Sequence, residues 1–151
     1  MRKISRVIIH CSDSDFGDSA LIRKWHIEER GWKDIGYHYV VLNGKRESEE
    51  RYKKSLDGIL EVGRDEKEIG AHTYGVNRDS IGVCLIGKGI FTPLQLQTLS
   101  ILVNSLMKKY GIGVEDVYGH YEFDKRKSCP GVDMNILRAA LLKGPIKEGV
   151  K

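Results

Sequence analysis

The sequence predicts an α/β fold: a single domain built on a central mixed β-sheet flanked by helices. Three observations carry this expectation. Short apolar, β-branched runs of strand length recur along the chain. Between them lie segments with helical apolar spacing, each bounded by cap residues. Strands and helices also alternate instead of clustering, which is the α/β order. The length of 151 residues suits one ordinary domain, and 40% apolar with 30% charged residues suits one core. That balance excludes a disordered chain, and 17 glycines with only 3 prolines exclude a collagen-like or Pro-rich fibre.

In chain order, residues 6–10 (RVIIH) read as a buried strand. Asp18 or Ser19 caps a helix to about Arg30, with Leu21, Ile22 and Trp25 as its apolar stripe and Gly31 as its stop. Residues 37–42 (YHYVVL) form a second strand. Residues 44–55 follow with five basic and three acidic side chains and read as a solvated excursion. Asp57-Gly58 signals a turn into a returning strand over 59–62. Residues 80–86 (SIGVCLI) are a continuous apolar run, the mark of a central strand covered on both faces. Thr92 caps a helix with Pro93 in its first turn, running to Tyr110 and stopped by Gly111. A short strand over 114–118 leads to Gly119-His120, and Asp133 caps a last helix to about Leu142. Residues 1–143 are thus expected to form the domain and 144–151 a frayed tail.

The formal net charge is +4, mildly basic. That is too little to indicate nucleic-acid binding but suits an anionic partner. No apolar run approaches the roughly 18 residues of a membrane span. Only Val7-Ile8-Ile9 separates the basic N-terminal residues from His10, which falls short of a secretory signal. Three widely spaced cysteines, an odd number, argue for a thiolate in metal or catalytic work rather than for a disulfide framework.

Of the five histidines, His10 ends an apolar strand and His120 follows a strand and a glycine. Strand ends are where α/β folds place their sites. Cys129 lies nine residues after His120, in a loop shaped by Pro130 and Gly131. Two imidazoles and one thiolate make a three-ligand zinc set with one position open, the catalytic arrangement, although no short-range motif supports it. A histidine in a globular chain is more often structural, and His26 and His38 are read that way. Cys84 sits inside an apolar strand and reads as core. Cys11, next to His10 in a strand, is expected on the opposite face.

Several segments then resemble one family in order: Ile9-His10-Cys11-Ser12, Trp25-His26, residues 31–38 (GWKDIGYH), residues 63–66 (GRDE), Ala71-His72, residues 77–87 (NRDSIGVCLIG) and residues 127–131 (KSCPG). They resemble the zinc-dependent N-acetylmuramoyl-L-alanine amidases, which include small phage lysozyme-type endolysins and the peptidoglycan recognition proteins. The resemblance spans about His10 to Leu137. It implies zinc ligands at His10, His120 and Cys129, a catalytic tyrosine at Tyr37 and a catalytic lysine at Lys127. It also implies hydrolysis of the amide between N-acetylmuramic acid and L-alanine in bacterial peptidoglycan. A thiolate ligand tempers the acidification of water by zinc, so activity is expected at neutral to mildly alkaline pH.

Around these, His72 in its Gly-flanked loop is expected to line the substrate groove. Trp32 is read as stapling the helix end, and Arg64-Asp65 as an ion pair holding its loop near the site. The expected role is a phage or prophage endolysin, a monomer that waits in the host cytoplasm and reaches the wall after the membrane is breached. Two alternatives keep the same fold: a non-catalytic peptidoglycan-binding module and an intracellular muropeptide-recycling amidase. The presence of Cys129 with His10, His120 and Tyr37 favours the enzyme. Holding a polymerase, as a coliphage member does, would rest on surface contacts and not on any of these motifs.

Overall fold

Five strands form one sheet in the order β3-β2-β4-β1-β5. These are β1 (Arg6–Cys11), β2 (Tyr39–Asn43), β3 (Asp57–Val62), β4 (Ser80–Leu85) and β5 (Val117–Gly119). The computed structural model describes residues 2–144, so residues 145–151 of the expected tail lie outside the described residues. Strands β2, β4, β1 and β5 run parallel and β3 returns antiparallel on β2, giving the mixed sheet that the sequence predicts.

Helix α1 (Ser19–Arg30) covers one face. Its Asp18 side chain accepts the Leu21 N–H, and Gly31 ends it in the left-handed conformation. Helices α2 (Pro93–Tyr110) and α3 (Met134–Leu142) cover the other face. Thr92 caps α2 in a reciprocal box with Gln95, and Asp133 caps α3. The period-2 alternation of the strands divides the core accordingly. Val7, Ile9, Ile81, Val83 and Leu85 pack with α2 and α3, whereas Val40, Leu42, Cys84 and Ile86 pack with Ile22 and Trp25 of α1. All six residues of β4 are buried, as the unbroken apolar run requires.

Four elements differ from expectation. Strand β2 starts at Tyr39, two residues later than expected; just before it, His38 N–H still reaches Gly82 O of β4, and the Tyr37 and His38 carbonyls accept from Arg64 and Gly63 N–H beyond β3. Asp57-Gly58 opens β3 instead of turning before it. Gly58 has φ +74° and the β2/β3 register shifts beside it, a bulge for which glycine is suited. Residues 114–116 form a 3₁₀ turn, so β5 keeps only Val117–Gly119. Within the charged excursion, Arg46 is not simply solvated: it pairs with Asp18 at 2.8 Å and Glu61 at 3.0 Å, tying the loop to α1 and β3.

Candidate metal centre and active site

The sheet itself brings the first two histidines together. Ile9 of β1 pairs with Gly119 of β5, so the following residues, His10 and His120, arrive side by side with ring centroids 4.6 Å apart. His10 pairs in register with Cys84 and therefore lies on the α1 side. The third donor comes from the loop before α3. Tyr121 N–H bonds to Cys129 O at 2.8 Å, and Gly131 N–H closes on Ser128 O at 2.7 Å. These bonds lay Cys129 across the end of β1, where Cys11 N–H donates to its Sγ at 2.9 Å. One donor atom each from His10, His120 and Cys129 then lie within 4.8 Å of one another.

The chemistry of this donor set fits zinc. Burial, with His72 and His120 adding to it, holds the His10 pKa well below its usual value. Burial followed by the Lys127 charge lowers that of His120. Both rings are thus the neutral imidazoles a metal needs. In the metal-free protein the Cys129 thiol is pushed up by its hydrogen bond with the Cys11 thiol and by burial, and the same bond brings Cys11 down to about 7. The Cys11 N–H on Sγ favours thiolate at Cys129.

Around this set opens a pocket of about 470 Å³ whose lining includes Tyr37, His72, His120, Lys127 and Cys129. The Tyr37 ring lies 5.0 Å from that of His10. Burial, with nearby thiols, raises its pKa well above 10, so it is a neutral phenol able to donate a hydrogen bond. Lys127 is exposed on the rim. His72 is buried and borders both the pocket and His10, with Nδ1 2.9 Å from His10 Nε2.

Residues read as structural support the site from behind. His26 Nδ1 accepts the Gly36 N–H at 2.9 Å, and its carbonyl takes the Trp32 N–H; the Trp32 ring packs on that of His26 with centroids 4.7 Å apart and also lines the pocket. His38 is fully buried and its Nδ1 accepts the Gly82 N–H at 3.0 Å. Two expectations are corrected. Arg64 does not pair with Asp65: its guanidinium donates to the carbonyls of Ile35 and Ile69, and Asp65 instead accepts the Lys67 N–H. Cys11 is not turned away from the site. It is the last residue of β1, where the pocket wraps over the strand end and receives side chains from both faces. Pattern reading also passed over Arg30, Lys88 and Arg126 as pocket residues. For Lys88 the available signal was its place just beyond the C-terminal end of a parallel strand.

The profile of the N-acetylmuramoyl-L-alanine amidases matches residues 1–132. The chain belongs to that amidase family. The amidase is similar to the endolysin of Escherichia phage T7, 38% identical over 139 residues, covering 85% of this chain and 81% of the relative. The endolysin of Klebsiella phage KP32 is 33% identical over 145 residues, covering 88% and 84%. Among solved structures, the amidase LysC from Clostridium intestinale URNW superposes with a TM-score of 0.77 at 26% identity, over 93% of this chain and 87% of that one. Drosophila PGRP-LB superposes at 0.69 and 26%, over 87% and 76%. Among the described residues of the amidase, no helix is long and apolar enough to cross a membrane.

Proposed function

We propose that this amidase is a zinc-dependent endolysin that cleaves the amide between N-acetylmuramic acid and L-alanine of peptidoglycan, with the metal held by His10, His120 and Cys129. The observation that carries this reading is the gathering of two neutral imidazoles and one thiol, of which His120 and Cys129 line the pocket, in a chain of this family. When bound, zinc supplies a Lewis acid that polarises the amide carbonyl and acidifies water. The protein's own groups do the rest. Tyr37, a neutral phenol whose ring packs 5.0 Å from that of His10, donates its hydroxyl hydrogen to the carbonyl oxygen as negative charge develops there. Lys127, on the rim, offers a second donor and a proton for the leaving nitrogen.

Among the described residues, the pocket lining carries Arg30, Lys88, Arg126 and Lys127 against one acid, Asp13, which suits the carboxylates of a stem peptide. The protein is expected to work as a monomer on the wall once the membrane has been breached. Mass spectrometry of digested peptidoglycan tests the reaction. New free N-terminal L-alanine without new reducing sugars is expected; new reducing ends would identify a glycosidase instead.

A further inference from the structure

We propose that His72 is the positioning residue of the metal centre: it keeps the His10 proton on Nε2 and so leaves the Nδ1 lone pair for the cation. This rests on the reading of His10 as a zinc ligand. One chain of hydrogen bonds, running from Ser80 through His72 to His10, sets the position of this proton. Ser80 has a single hydroxyl proton, and at 2.7 Å from the Val76 carbonyl the two oxygens require that proton between them. The Ser80 oxygen, 3.3 Å from His72 Nε2, is therefore an acceptor, so His72 carries its proton on Nε2. With the ring neutral, His72 Nδ1 is then an acceptor only. His10 Nε2 lies 2.9 Å from it, and two lone pairs cannot face each other at that distance, so Nε2 of His10 bears the hydrogen. Thr73 Oγ1 completes the triangle, 3.0 Å from His72 Nδ1 and 3.2 Å from His10 Nε2.

The chain is held rigidly enough to impose this choice. His72 and Thr73 N–H groups both donate to Asn77 Oδ1, at 3.0 and 2.8 Å. The His72 ring lies in space left by two glycines: a Cβ on Gly82 would meet it at 2.6 Å and one on Gly70 at 2.7 Å. Gly82 interrupts the otherwise side-chain-filled centre of β4, and the packing of this ring accounts for it. A partner that fixes the tautomer of a ligand histidine typically sets metal affinity by about 10–100-fold.

Long-range ¹H–¹⁵N correlation spectra of the metal-free protein read the tautomer directly, and titration with zinc alone against a chromophoric chelator reads affinity. The expected result is an Nε2–H tautomer at His10, zinc affinity about 10–100-fold weaker in His72→Leu, and recovery of most of it in His72→Asn, whose side-chain oxygen stands near the position of Nδ1. An Nδ1–H tautomer at His10 in the wild type overturns the proposal whether or not the variants fold. So does a His72→Leu protein that binds zinc as the wild type does. A wild type that takes up no zinc instead overturns the metal-centre reading beneath it.

Discussion

At the scale of single residues the three cysteines form an internal comparison. Cys129→Ser replaces a soft thiolate with a hydroxyl that binds zinc poorly, so metal and activity should be lost together. Cys84 is fully buried between β2 and β1, and a serine there should cost about 1–3 kcal/mol of stability with zinc stoichiometry intact. Cys11→Ser keeps the backbone N–H that donates to Cys129 Sγ, so its effect on metal content should be mild. Zinc analysis of the three variants gives the order, and a Cys11→Ser protein that empties the site while Cys129→Ser stays filled would refute the ligand set. Tyr37→Phe removes one hydroxyl from a neutral phenol beside His10. It should retain fold and zinc but lower kcat by about 10²–10³, the usual loss for one oxyanion donor. An unchanged kcat with a raised KM would make Tyr37 a substrate contact instead.

At the scale of elements, the caps were legible in the sequence because they depend on local chemistry: Asp18, Thr92 and Asp133 each accept the N–H groups that their spacing predicts. Thr92→Ala should cost about 1–2 kcal/mol, read as a lower denaturant midpoint, since Thr92 also donates to Asp57 at 2.5 Å. Zinc content should not change, because α2 contributes nothing to the pocket lining. What the sequence could not show were interactions set by tertiary register. Arg64 is itself buried, and the acceptors that meet its guanidinium are the Ile35 and Ile69 carbonyls rather than the side chain of its neighbour Asp65. Cys11 follows strand alternation, yet the strand ends under it and the pocket reaches both faces. The adjacency of His10 and His120 was expected from their places at strand ends. The closeness of His72 to His10 was not, since it depends on a glycine in β4 that reads in sequence as a mere weakness of the strand.

At the scale of the whole molecule, buried neutral histidines couple stability to pH. Burial first, with nearby arginines, lowers His26 to about 4, and burial likewise lowers His38 to about 4. In the unfolded chain both titrate near 6.5. Between those values the unfolded state takes up protons that the folded state refuses, so stability falls as pH drops from 6.5 to 4 and is flat above that window on this account. Each such histidine contributes a slope approaching about 1.4 kcal/mol per pH unit there. Thermal melts of the metal-free protein should show Tm falling through this range. A Tm independent of pH between 6.5 and 4 would mean that these rings protonate without opening the fold.

Wall cleavage should depend on a metal held by His10, His120 and Cys129, and metal analysis coupled to a lysis assay measures that dependence. The purified protein should contain about one zinc per chain, lose lysis on chelation and regain it when zinc is returned. Full lytic activity in protein shown to be free of metal would mean that the wall is cleaved without it.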